Sequence, residues 1–200
     1  MRATLASLAF ASLVISSPAL SKPWKIDGTH SSATFRVKHL MVATVQGSMS
    51  GIEGTVDLDE QDVTKSKVNA TLDAATINTN EPKRDEHLRS PDFFNTAKHP
   101  KITFASKSVK AAGAGKLAVT GALTMNGVTK DVTLDVEGPT AAVKGMAGDQ
   151  RRGLTATTTL NRKDFNINWN KALDGGGVVV GEDVKVTLDL SLSDAVKASH

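Results

Sequence analysis

Along most of the chain apolar and polar residues alternate with a period of two, as in strands that turn one face inward. Ala33, Phe35, Val37 and His39 interleave with Thr34, Arg36 and Lys38, so one side is largely apolar and the other charged. Val45, Gly47 and Met49 continue the pattern, and Ile52, Gly54, Val56 and Leu58 then fall on the opposite parity. The Ser50-Gly51 pair between them reads as a bulge or sharp bend in one long strand. Further runs follow at Val68–Ala74, Ile102–Phe104, Leu117–Met125, Val128–Val136, Leu154–Leu160 and Val184–Leu192. Asn126-Gly127 is the strongest hairpin signal, because both central residues of a type I′ turn need positive φ.

About eight strands are expected, several of them long and joined by short turns. Long strands leave exposed edges unless the sheet closes on itself. An antiparallel, up-and-down barrel of about eight strands meets this requirement and has room for one ligand. A two-sheet sandwich stays open on the pattern alone. The inward positions mix small residues (Ala33, Gly47, Ala70, Ala74, Gly121, Ala156) with Leu and Met. Such a set is compatible with a hollow interior or with a solid core.

One segment breaks the alternation. In residues 79–94, Thr79 or Asn80 is placed to cap a short helix, Pro82 suits its first turn, and Glu81 suits its positive end. Asp85 and Arg89, spaced i,i+4, are expected to pair on its surface. Pro91 ends the helix, and Phe93-Phe94 anchor the chain beyond it.

Composition narrows the chemistry. The 200 residues hold six Phe, two Trp, no Tyr and sixteen Gly, and 24 basic residues are interleaved with 21 acidic ones. With no cysteine, neither disulfides nor thiolate metal sites are available. Arg2, the apolar run Leu5–Ile15 and the small residues around Ala19 and Ser21 predict a secretory signal peptide over 1–21. A single mature domain over 22–200, periplasmic or secreted, is the expectation.

Catalytic motifs are not found. Gly47-Ser48-Met49-Ser50-Gly51 resembles a nucleophile elbow only superficially, since Met occupies its centre. The five histidines have no metal-ligand spacing, and Asp174-Gly175-Gly176-Gly177 lacks the Lys-Ser/Thr of a phosphate loop. A basic groove with stacking aromatics, as nucleic acid requires, is missing as well. The sequence therefore predicts no enzymatic activity, metal or cofactor.

Four stretches resemble the YceI-like family of exported polyisoprenoid-binding proteins. They are Trp24-Lys25-Ile26-Asp27 leading to His30-Ser31, Phe35, Val37 and His39; Arg84-Asp85-x-His87-Leu88 with Phe93-Phe94, Pro100 and Ile102-Thr103-Phe104; Val119-Thr120-Gly121-x-Leu123-Thr124 with Asn126-Gly127-Val128-Thr129; and Arg162-x-x-Phe165-x-Ile167-x-Trp169. Together they extend over Trp24 to Leu192. Two positions depart from the family pattern: Met49, where an aromatic is common, and Asn166, where glycine is common.

The resemblance implies a lipocalin-like barrel whose tunnel holds an isoprenoid quinone tail or polyprenyl lipid. Phe35, Val37, Met49, Leu72, Ile102, Phe104, Leu117, Val119, Leu123, Met125, Phe165 and Trp169 are then expected to line or cap the tunnel. His30, His39, Arg84, His87 and Arg162 are expected to meet a polar head or to pin the helix and loops. The implied partners are the isoprenoid and, transiently, a membrane; a homodimer stays open. A ligand-free structural or interaction module of the cell envelope, with a filled core and a role under stress, is the alternative.

Overall fold

The computed structural model describes residues 22–174 and 176–194. The expected signal peptide, Gly175 of the glycine-rich turn and His200 lie outside them.

In chain order the elements are β1 (Lys22–Ile26), β2 (Ser32–His39), β3 (Ala43–Met49), β4 (Glu53–Leu58), β5 (Lys67–Asp73), helix α1 (Pro82–Arg89), β6 (Lys101–Gly113), β7 (Lys116–Met125), β8 (Val128–Glu137), β9 (Val143–Lys144), β10 (Gln150–Asn161) and β11 (Val180–Ser193). All strands belong to one antiparallel sheet. Strand β11 pairs with β10 on one edge; on the other it pairs with β2, then at its end with β1. The path β11–β10–β8–β7–β6–β5–β4–β1 thus returns to β11, and the eight strands close into a barrel rather than a sandwich.

Strands β1 and β2 follow one line along β11, interrupted at Asp27–Ser31, and β3 and β4 run opposite them. The break between β3 and β4 is the predicted parity change, with Gly51 at φ +73°. Strands β7 and β8 meet at Asn126-Gly127, both with positive φ, as the sequence predicts. The seams differ greatly in length. Strands β10 and β11 share eleven rungs, whereas β8 and β10 share three, at Thr155, Ala156 and Thr157.

Buried clusters close the two ends. Trp24, Ile26, Ile52, Val56, Leu58 and Leu192 pack together near the start of β1. Phe93, Met125, Phe165 and Ile167 pack together at the opposite end, beneath α1. Burying an aliphatic or aromatic side chain of this size stabilises by about 1.5–3 kcal/mol, so these stoppers are a substantial part of the core.

The helix forms where the sequence indicates, but its details differ. Its N-cap is Glu81, whose carboxylate accepts from the N–H groups of Lys83 and Arg84, and Pro82 fills the first helical position. Thr79 and Asn80 lie before the cap. Asp85 forms no ion pair with Arg89. It is 8% exposed and accepts from the backbone N–H and the hydroxyl of Thr79, at 2.8 and 2.5 Å. Arg89 donates instead to the carbonyl of Ile77. The incoming chain turns back over the helix, so its tertiary donors outcompete an exposed pair worth only a few tenths of a kcal/mol.

Candidate functional site

The inward faces enclose a cavity of about 260 Å³ with an almost wholly apolar wall. It extends from Leu58, Val136 and Leu154 near one end to Leu88, Phe93 and Ile167 near the other. Phe35, Val37, Met49, Leu72, Ile102, Phe104, Leu117, Val119, Leu123 and Met125 all stand in its wall.

Two glycines keep the wall open. A Cβ on Gly47 would lie 2.3 Å from Cζ of Phe35, its partner across the β2–β3 ladder. A Cβ on Gly121 would lie 2.5 Å from Cζ of Phe104, on the neighbouring strand. Each ring leans over a position without a side chain and so covers the sheet instead of crossing the lumen. The small inward residues noted in the sequence therefore accommodate large neighbours.

Phe165 and Trp169 are not in the wall. The alternation of β10 stops at Asn161, whose side chain caps a 3₁₀ turn over Arg162–Phe165, so both rings stand at the end of the barrel, where of the two expected roles only capping is open to them. Phe165, 1% exposed, belongs to the end cluster. Trp169 packs against Phe93, ring centroids 5.4 Å apart, and against the edge of His87 at 5.1 Å. Asn166 follows the turn with φ +57°, a left-handed conformation that asparagine tolerates better than most side chains.

The five polar candidates are dispersed. His30 is exposed and bonds to Asp27 at 2.8 Å. His39 is half-buried at the end of β2. Arg84 donates to the hydroxyl and carbonyl of Thr79. His87 bonds to Asp92 at 2.9 Å and meets Phe93 edge-on. Among the five, Arg162 alone borders the cavity. Only 4% exposed, it donates to the carbonyls of Gly181 (2.9 Å), Ile167 (2.6 Å), Trp169 (2.9 Å) and Val180 (3.3 Å). Burial lowers its pKa from the ordinary guanidinium value, and Glu182 partly opposes that shift. Its geometry is that of a clamp between β11 and the loop after the 3₁₀ turn.

Several wall residues were not singled out from the sequence: Leu88, Phe94, Ile167, Val184, Val186 and Leu188. The alternation of the last strand was the available signal for three of them. Among the described residues no group of His, Cys, Asp and Glu could hold a metal ion, and no helix is long and apolar enough to cross a membrane.

The YceI-like domain model matches residues 24–192. A UPF0312 protein of Staphylococcus aureus (strain MSSA476) is 42% identical over 170 residues, covering 84% of this chain and 96% of its own. The crystal structure of the Campylobacter jejuni YCEI protein superimposes with a TM-score of 0.66 at 28% identity, covering 80% of this chain and 90% of that one. A polyisoprenoid binding domain from Saccharophagus degradans, implicated in plant cell wall breakdown, shares the fold. Its TM-score is 0.61 at 18% identity, covering 88% of this chain and 99% of that one.

Proposed function

The chain belongs to the YceI-like family, and on that premise we propose that it is an exported protein that sequesters or carries a polyisoprenoid, either an isoprenoid quinone or a polyprenyl lipid, inside its barrel. The observation that carries this reading is the long interior with an apolar wall. The Saccharophagus relative, described as a polyisoprenoid binding domain, supports it at the level of fold. A packed interaction module needs side chains that meet across the lumen. Phe35 and Phe104, the largest side chains in the middle of the wall, instead lean over glycines.

An isoprenoid tail has no charge and almost no hydrogen-bonding groups, so its recognition is burial along a slot. Each buried CH₂ is worth ~0.8 kcal/mol against water. A long tail would on that scale exceed any measured affinity. Its real alternative is a bilayer as apolar as the barrel, so transfer between the two is nearly balanced. That balance suits a protein that loads and unloads during transient contact with a membrane. The ten residues of β7 span ~33 Å, enough to shield several isoprene units.

The test is organic extraction of protein purified from its own host, followed by mass spectrometry. An isoprenoid in stoichiometric amount is expected. An empty extract, together with no uptake of added long-chain isoprenoid quinone, overturns the reading.

A further inference from the structure

Two hairpins of this barrel solve the same problem with opposite chemistry. Between β7 and β8 the two central turn residues are Asn126 and Gly127, at φ +49° and +75°. These types accept the left-handed region at little cost. Between β2 and β3 the corresponding residues are Leu40 and Met41, at φ +52° and +61°, with the N–H of Val42 bonded to the carbonyl of His39. Bulky side chains are rarely found there, because Cβ crowds the backbone.

The strain is not repaid by burial. Leu40 is 39% exposed, Met41 55% and Val42 82%. Strain of this kind, kept where no packing rewards it, points to a use. A second turn lies alongside. The N–H of Leu40 bonds to the carbonyl of Val179, and a Cβ on Gly177 would lie 3.6 Å from Cγ of Met41. Leu173 and Val178 of that turn are half-buried, which widens the apolar lip.

The lip stands beside the cavity. Phe35 and Val37 on β2, the strand leading into the turn, are both in the cavity wall. The outer edge of β3, the strand leading out, carries no further strand; among the described residues only the single bridge from Ser48 to Asn78 crosses it. Lys38 and Lys171 flank the lip, are exposed and make no ion pair among the described residues; Asp174 lies in the neighbouring turn, and Glu182 and Asp183 follow Gly181, which lies against Lys38. The other exposed apolar tip, Val143 and Met146, projects from the opposite end of the barrel. There Lys144 is exposed between them and Arg151 and Arg152 are engaged by Asp27, Asp149 and Glu60, but no residue other than glycine holds a positive φ, so this tip lacks the strain of the first.

We infer that Leu40, Met41 and Val42 form a wedge that enters the surface of an anionic phospholipid bilayer, with Lys38 and Lys171 at headgroup level, and so brings the β3 side of the barrel against the membrane. Apolar side chains beside free lysines are the combination that binds such interfaces. The inference rests on the lipid-carrier reading, since a carrier must reach the bilayer that holds its cargo.

The experiment is flotation of the whole protein with protein-free vesicles of equimolar phosphatidylethanolamine and phosphatidylglycerol, with and without a long-chain isoprenoid quinone. Wild type floats with both. Leu40→Asn/Met41→Gly loses flotation by at least about tenfold while its Tm rises, because the turn acquires the residues its backbone prefers. A misfolded variant could not combine those two changes. Val143→Ser/Met146→Ser floats like wild type. Wild type that fails to float, equal flotation of the Leu40/Met41 variant, or loss confined to the Val143/Met146 variant each overturns the wedge. Wild type that takes up quinone without floating refutes the wedge and leaves the carrier reading standing. Flotation that depends on Leu40 and Met41 with no quinone in the recovered protein supports the wedge and refutes the carrier.

Discussion

The ring of Phe35 occupies the space that a side chain at Gly47 would need, 2.3 Å from the position of its Cβ. Gly47→Ala therefore drives the ring into the lumen or parts β2 from β3. The expected loss is about 1–3 kcal/mol in chemical denaturation, as for other overpacked interiors, with less lipid in the organic extract. Gly47→Ala combined with Phe35→Leu should recover both. Unchanged stability and lipid in the single variant would show that the ring has another place to go.

Leu123 projects into the same space from β7. Leu123→Trp fills it, so lipid in the extract should fall to background while the far-UV circular dichroism stays that of the wild-type barrel. Lipid content equal to wild type would remove Leu123 from the binding wall.

Arg162 holds four carbonyl oxygens in a nearly dry place. Arg162→Met strands those acceptors, and a loss of about 3–5 kcal/mol is expected. Arg162→Lys recovers only part of it, because one ammonium cannot reproduce the guanidinium fork. A full recovery would mean that charge alone matters there.

Asp27 links the start of the barrel to its close. Its carboxylate bonds to His30 and to Arg151, the latter at 2.5 Å, and accepts from the N–H of Thr29. His30 first, then Arg151, hold it well below the ordinary carboxylate range, against the opposing effect of burial. In acid the native state then binds fewer protons at this site than the unfolded chain. The stability it contributes is complete above the unfolded-state value near pH ~3.9 and is lost as the pH falls toward the native one. Asp27→Asn should be less stable at neutral pH and show a flatter decline below about pH 4. Parallel acid curves for the two proteins would assign that decline to other groups.

The sequence was most legible where one rule governs many residues. Alternation at Ala33–Val37 and Leu117–Met125 located the strands and their inward faces, because a buried face permits only one register. The parity change at Ser50-Gly51 located the bend for the same reason. Legibility failed where a distant contact overrides a local rule. Asp85 looked like a surface partner of Arg89, and only the fold brings the backbone of Thr79 onto its carboxylate. For Phe165 and Trp169 the sequence left lining and capping open, and only the 3₁₀ turn capped by Asn161 decides it, by sending both rings to the end cluster. Nothing in the one-dimensional pattern records that Phe35 and Gly47 face each other across a ladder.

Three rungs between β8 and β10 make this one of the short fastenings of the barrel, beside the two rungs between β1 and β11. The hairpins on either side, β7–β8 and β10–β11, are tied by ten and eleven rungs. Short seams rather than the long hairpins are therefore where the girth of the container is expected to yield. A bulkier load that spreads the β8–β10 seam should register as faster amide exchange along Thr155–Thr157, and unchanged exchange there on loading would place the give elsewhere.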